Sequence, residues 1–449
     1  MSGQGSTVAG RRSPLAKVLG ALPPGTQLVI GGTVLLGAAS YAHLMAAGYS
    51  LSKPDMASVS LLWTILMSVG LGLFFPVEQE LTRIVAARMV GNQGVAPVLR
   101  RILVITALML GLLTAAMAVA VRPLADTFFD GRVDMVAALA AAFVAMAAGN
   151  VTRGVLAGLG RFGAYGTQLA VDGALRIVLA AGCALAGVKS PLAFALILTV
   201  APVIAVVVTL RPLLAGVRSG PSVGWTALTS GLAPLVCSTL LSQVVVNAAV
   251  VSTQLLAPDD AALVAGLLNA VVLARVPLFV FGSLQASLLA GLSAAAAAGD
   301  RTGFSKLLGR TCGVVVVLGV AGGIPATILG PWLIQVLFKA DDVLGSLDFF
   351  WMSAGTLCYM LAMVLGQALL VLHRHRLQLL GWAVGTVALI VTTLVPGPIA
   401  TRVCLAYTLG SLAAVVCMFV AVWFSFLRVP PAGGAGADAS SPRSLVDSV

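Results

Sequence analysis

Asp172 and Arg176 stand four residues apart in a stretch otherwise built almost wholly of Ala, Gly, Val, Leu and Ile. That spacing puts both on one helix face, where a carboxylate and a guanidinium can pair. Counted from Tyr165 they lie roughly 10 and 16 Å along the helix at 1.5 Å per residue. An ionised side chain near the centre of an apolar layer costs about 2.5–3.5 kcal/mol on insertion scales. The pair is therefore either an internal ion pair that neutralises both groups or a cavity-lining couple that exchanges partners with a ligand. Arg275 has no acid within a helical turn. It lies roughly 20 Å beyond Asp260 along its segment, and Pro277 beside it should loosen the helix. It either snorkels towards the interface or pairs with Asp172 of another segment, or it serves as an anion-binding group in an aqueous cavity.

Two further constellations carry polar chemistry. Pro76-Val-Glu-Gln-Glu-Leu-Thr-Arg83, followed by Arg88, gathers acids and bases directly after a kinking proline. Glu78, Glu80, Arg83 and Arg88 read as a solvated helix end or as the charged rim of a cavity mouth. Ser238, Ser242, Gln243, Asn247 and Gln254 form an uncharged set, in which Ser238/Ser242 and Gln243/Asn247 are each spaced by four. They suit hydrogen bonds between helices or contacts to a substrate. The six cysteines occur singly within apolar runs without a CxxC, which supports neither a disulfide framework nor a zinc site. No catalytic set, metal site or cofactor is expected, and no GxxxxGK[ST] phosphate loop occurs.

The elements that hold these residues are apolar blocks of about twenty residues, each long enough to cross a hydrocarbon core of about 30 Å. The chain is 59% hydrophobic and only 9% charged, with mean hydropathy +1.07. That excludes a water-soluble domain. The expected fold is an all-α polytopic membrane protein of about twelve transmembrane helices. The first six fall near 27–50, 56–77, 102–121, 133–152, 165–187 and 190–210. The second six fall near 226–256, 261–290, 311–337, 345–372, 377–395 and 400–427. Residues 1–25 and 429–449, rich in Gly, Ser, Pro and Ala, read as disordered tails, and the basic start is not a cleavable signal.

With the N-terminus in the cytoplasm, 18 of the 26 Lys and Arg fall on the inner side and 6 outside, leaving Arg176 and Arg275 within the membrane. The positive-inside rule therefore places both termini in the cytoplasm of a cell inner (plasma) membrane. Acids such as Asp55, Asp134, Asp260, Asp341 and Asp348 fall outside. The net charge of +11 belongs to the inner face and suits anionic lipid headgroups; no soluble basic module exists to bind nucleic acid.

A polar break at 211–225 divides the chain into a lobe over 26–210 and another over 226–428. Six spans in each make the halves parallel repeats. Gly154-Val-Leu-Ala-Gly-Leu-Gly-Arg161 and Gly366-Gln-Ala-Leu-Leu-Val-Leu-His-Arg374 echo one another at the ends of the fourth and tenth spans. No outer loop exceeds roughly a dozen residues, so there is no place for the outer domain that a membrane glycosyltransferase, ligase or polymerase needs. A transporter, a flippase or a scaffold remains.

The segment from Pro76 to Arg83 with Ala87-Arg88 resembles the second helix of bacterial polysaccharide-biosynthesis membrane proteins. Gly154 to Arg161 and Ala274-Arg-Val-Pro-Leu-Phe-Val-Phe281 are similar to two further segments of that group. It belongs to the multidrug/oligosaccharidyl-lipid/polysaccharide (MOP) flippase superfamily. The resemblance implies two six-helix lobes in a MATE-like V around a central cavity, whose cationic residues hold the diphosphate of a polyprenyl-linked sugar. Arg275 is the strongest match to such a residue and Arg83 a weaker one. In the drug-antiport branch an acid early in the first lobe couples to Na⁺ or H⁺. The first span here has no acid, only His43.

The expected function is thus a non-enzymatic flippase that exports a polyprenyl-diphosphate-linked oligosaccharide or related anionic glycolipid by alternating access. Arg275, Arg176, Asp172, Arg83, Gln243 and Asn247 would line the cavity, and Glu78, Glu80 and Arg88 its cytoplasmic mouth. Membrane lipids, the lipid-linked sugar and glycosyltransferases or a polymerase of the same pathway are the expected partners. A MATE-like antiporter of drugs or small solutes would need a titratable cavity acid, for which Asp172 is the candidate. A non-transporting scaffold for envelope polysaccharide synthesis would tolerate neutral substitutions at Arg176 and Arg275.

Overall fold

The computed structural model describes residues 25–256, 276–338 and 344–427, together with Leu267 and Ala270. Among the described residues twelve helices form the bundle. In the first half they are α1 (Thr26–Ser50), α2 (Lys53–Ile65, Leu66–Gly70 and Leu71–Val90 in continuous succession), α3 (Ala96–Val119), α4 (Val133–Gly158), α5 (Phe162–Leu185) and α6 (Pro191–Leu214). In the second half they are α7 (Trp225–Leu256), α8 (Val276–Ala297), α9 (Arg301–Phe338), α10 (Ser346–Val371), α11 (His375–Leu394) and α12 (Ile399–Leu427). A short helix, Val121–Phe128, lies between α3 and α4. Ten helices among the described residues are long and apolar enough to cross a membrane. The chain is a multi-pass membrane protein.

Local sequence explains the helix ends. Ser52 caps α2, its hydroxyl accepting from the Asp55 backbone N–H, with Pro54 in the first turn where a missing N–H does no harm. Leu66–Gly70 is a π-helical segment, a turn with one residue too many. Pro76 follows inside the helix and cannot donate to the Gly72 carbonyl. Exposed apolar side chains such as Leu112, Val317, Ile328, Phe419 and Trp423 cover the outside of the bundle, where acyl chains replace water.

The two halves repeat one pattern of packing. Helix α1 packs on α5, α5 on α6, α6 on α4, and α4 on both α2 and α3; α7 to α12 repeat these pairings six helices on. Glycines set the closest approaches. A Cβ on Gly32 would lie 2.5 Å from the Gly166 carbonyl oxygen, and one on Gly173 would lie 2.9 Å from the Leu36 nitrogen. Only hydrogen fits there, so α1 and α5 touch backbone to backbone.

Because the helices alternate in direction, the turns α2–α3, α4–α5, α6–α7, α8–α9 and α10–α11 share one end of the bundle. This end is the basic one, with Arg88, Arg100, Arg161, Arg218, Arg301 and Arg374 on it or beside it. The halves meet along α2 with α7 and α8, and α1 with α8. A buried core near the basic end mixes the halves: Leu228, Leu232 and Ala290 of the second pack with Val77, Leu81, Val85 and Leu156 of the first. Towards the opposite, acidic end the described cores are separate. One holds Leu62, Phe74, Phe143 and Phe194 of the first half, and another holds Leu344, Phe349 and Met352 of the second. The lobes form a V that is shut at the basic end.

Several helices run past the spans expected for them. α2 continues from the expected 77 to Val90 and α9 begins at Arg301 rather than 311. The charged residues that mark a membrane boundary in the sequence are here carried inside the helices. Arg275, Asp259, Asp260, Asp341 and Asp342 lie outside the described residues.

Candidate functional site at the seam between the halves

The charged stretch of α2 is buried, with Glu78 4%, Glu80 0% and Arg83 6% exposed. Two residues on a helix are about 200° apart, so Glu78 and Glu80 face opposite ways. Glu78 turns into the first half. It accepts from the Arg153 Nε of α4 at 3.0 Å and from the Tyr165 hydroxyl of α5 at 2.8 Å. Glu80 accepts two bonds from its own helix neighbour, at 2.9 Å from Arg83 Nε and 2.5 Å from Nη2. The remaining nitrogen, Arg83 Nη1, crosses the seam and lies 3.1 Å from the Nε2 of His373, in the turn between α10 and α11.

Arginine can only donate, so His373 Nε2 accepts and the ring proton belongs on Nδ1. Burial, and secondarily the Arg83 charge, push the His373 pKa from 6.5 down to about 4. His373 has a left-handed backbone, φ 57°, which turns the chain sharply between two helices. His375, on the next turn of chain, meets its ring edge-on at 6.2 Å and packs over Gly231 of α7, where a Cβ would stand 2.6 Å from Nε2. Arg88 extends the seam: Nη2 donates to the Pro221 carbonyl at 2.7 Å and Nε to that of Gly94 at 3.0 Å. Arg101 of α3 stacks over the Trp225 ring of α7 at 4.9 Å.

The expected pair Asp172–Arg176 forms a fork, with Nε to Oδ1 at 2.7 Å and Nη2 to Oδ2 at 3.0 Å. Both residues are buried within the first half, 4% and 6% exposed. One helical turn before Asp172, the Gln168 carboxamide links Thr152 of α4 and Thr209 of α6. His43 is wholly buried, its ring edge-on to Phe194 at 6.1 Å, and neither nitrogen has a hydrogen-bond partner among the described residues.

The uncharged set divides. Asn247 Nδ2 donates to the Gln243 carbonyl at 2.8 Å along its own helix. Both residues are half-buried, and the Gln254 side chain lies outside the described residues. Ser242 instead joins a small cleft of mixed lining across the seam, with Phe75 and Gln79 of α2, Thr239 of α7, Met363 and Gln367 of α10, and Gln378 and Trp382 of α11. The carboxamide oxygens of Gln367 and Gln378 have no hydrogen-bond partner among the described residues. Gln79, Thr239, Gln367, Gln378 and His373 were not singled out by spacing. Gln367 and His373 do lie within the repeated segment 366–374, which was the available signal. The structure thus joins Glu80, Arg83 and His373 at the seam and holds Asp172 and Arg176 apart from them. Among the described residues no group of three His, Cys, Asp or Glu is placed to hold a metal ion.

No family model matches the chain. An uncharacterised protein of Mycobacterium tuberculosis is 27% identical over 315 residues, 67% of this chain and 70% of that one. An uncharacterised protein of Mycobacterium bovis is 26% identical over 273 residues, 60% and 62% of the two chains. Solved structures are more telling. A mutant MATE transporter superposes with a TM-score of 0.78 at 12% identity, covering 90% of this chain and 96% of its own. The fold is that of the MATE transporters. An outward-facing multidrug resistance MATE transporter of the MOP superfamily matches at 0.75 and 14% identity, covering 92% and 97%. A MOP superfamily transporter from Pyrococcus furiosus, described as having a binding pocket of reversed polarity that suggests a different function, matches at 0.72 and 13%, covering 90% and 94%. The V of two lobes expected from the resemblance is therefore the MATE fold, which other proteins use for transport.

Proposed function

We propose that this chain exports an anionic lipid-linked sugar, of the polyprenyl-diphosphate class, by alternating access between its two lobes, with both termini and the basic end in the cytoplasm. One observation carries the reading. The buried carboxylates Glu78, Glu80 and Asp172 are each held by a guanidinium, while Arg83 aims one further donor across the seam at a neutral partner. Bound carboxylates make a poor site for a coupling cation or a cationic drug, whereas a guanidinium nitrogen with donors to spare suits a phosphate oxygen. Moving an anion outward is favoured by an inside-negative potential, by about 2.3 kcal/mol per charge per 100 mV. No dedicated ion site is then required. Arg275 remains the second cationic contact in this reading, with Arg176 and Asp172 as first-lobe supports, Gln243 and Asn247 as polar lining, and Glu78, Glu80 and Arg88 around the mouth.

The multidrug transporters that share the fold favour a second reading, a cation-coupled antiporter using Asp172. Proteoliposomes separate the two. The exporter moves a fluorescent polyprenyl-diphosphate sugar between leaflets and Arg275→Leu stops it. Uptake of an organic cation that disappears in Asp172→Asn, with no movement of the lipid, would establish the antiporter instead. Normal transport by Arg275→Leu would remove that residue from the site, and movement of neither lipid nor cation by the wild-type protein would point to the scaffold. For orientation, a cysteine at Gly220 or Gly303 should resist labelling from outside intact cells, and one at Asp260 or Asp341 should accept it.

A further inference from the structure

Arg83 and His373 are 290 positions apart in sequence and come from different lobes, yet their nitrogens lie 3.1 Å apart in the shut seam. Each is fixed by its own half. Glu80 grips Arg83 through two nitrogens and leaves Nη1 free to turn outward. His373 is fixed by the turn it occupies: its N–H bonds the Leu370 carbonyl at 3.1 Å, and that of Arg374 bonds the Leu369 carbonyl at 2.8 Å. The groups facing His373 are Arg83 and Glu80 from α2 and His375 from α11. The contact is therefore a donor on one lobe meeting an acceptor on the other, across the seam at the closed basic end.

An imidazole nitrogen and a phosphate oxygen compete for the same guanidinium hydrogens. With His373 seated, Arg83 is 6% exposed and a phosphate has no approach to it. Parting the lobes at this end would leave Nη1 without a partner on the side that faces the gap, since Glu80 occupies only Nε and Nη2. We propose that His373 is the release element of the anion site: it takes the Arg83 Nη1 donor as the lobes close, so that closure displaces the phosphate, and gives it up as they part. This rests on the anionic-headgroup reading above. By linkage, the same contact that favours the closed seam must weaken the anion by an equal factor.

The experiment uses the full-length protein in lipid nanodiscs and polyprenyl diphosphate as the probe. Glycine and asparagine suit the left-handed backbone at this position. His373→Gly should bind the lipid on the order of tenfold more tightly than wild type, the worth of one hydrogen bond to a charged group, while transporting it more slowly. His373→Gln keeps an acceptor oxygen of similar reach and should return affinity and rate towards wild type. His373→Asn, whose carboxamide falls short, should follow glycine and serves where the glycine variant does not fold. A merely structural histidine would lower affinity or protein level when removed; it would not raise affinity. Wild-type affinity in both His373→Gly and His373→Asn overturns the proposal while leaving the exporter reading in place. Failure of wild type and variants alike to bind polyprenyl diphosphate overturns both.

Discussion

The two lobes share one pattern of helix pairing but not one interior chemistry. In the first, three carboxylate–guanidinium pairs are buried: Glu78 with Arg153, Glu80 with Arg83 and Asp172 with Arg176. At corresponding depth in the second, the described residues offer hydroxyls and carboxamides, namely Ser238, Thr239, Ser242, Gln367 and Gln378. Glycine contacts and apolar packing are enough to repeat an architecture, so the polar interior is free to diverge. A charged lobe held together by directional forks is sensitive to loss of one partner. Missing bonds among the described residues occur in both lobes, at His43 and the Asn150 carboxamide oxygen in the first and at the Gln367 and Gln378 oxygens in the second, so they distinguish the lobes less than the forks do.

That contrast is open to test, and the largest effect belongs to the charged lobe. Asp172→Asn or Arg176→Gln alone leaves a buried ion without its counter-charge, a loss of about 3–5 kcal/mol. The double Asp172→Asn/Arg176→Gln change should recover much of the folded protein, read as monodisperse yield and thermal midpoint in detergent. Single variants that fold normally but fail to transport would move the pair from scaffold to mechanism. A smaller effect is expected from pH at the seam. His373 has a depressed pKa of about 4 in the closed form against 6.5 when free. Its contribution to closure is complete above about pH 6.5 and is lost as pH falls towards 4. A fluorophore pair across the basic end should report opening over that window in wild type and a flatter response in His373→Gln. The smallest effect belongs to the neutral lobe. Gln367→Leu removes an unpaired buried oxygen and should change the thermal stability by less than about 1 kcal/mol, or raise it. A large loss there would mean that the second lobe depends on its polar groups as the first does.

Sequence revealed the helices because a bilayer demands some twenty apolar residues per span, a constraint that each segment satisfies by itself. It also revealed the fork of Asp172 and Arg176, whose partners are four residues apart on one helix. The charges after Pro76 were a different matter. Read locally, Glu78, Glu80 and Arg83 belong at a wet helix end. They are buried because Arg153 and Tyr165 come from other helices and His373 comes from the other lobe. Such partners leave no periodic trace. His373 in particular looks like an ordinary polar turn residue until the lobes are brought together.

The π-helical segment Leu66–Gly70 has an effect far from where it sits. One surplus residue in a turn shifts the angular phase of everything after it by roughly 100°. Gly72, which packs against Leu240 of α7, and Arg83, which reaches His373, meet the second lobe only at the phase this turn imposes. Deleting one residue between 66 and 70 removes the surplus together with the wide turn and should leave the charged stretch facing the seam, whereas regular winding of the unshortened segment would swing that stretch around its axis. The face now turned to the seam would be exchanged for its neighbour, although every side chain of that stretch was still present.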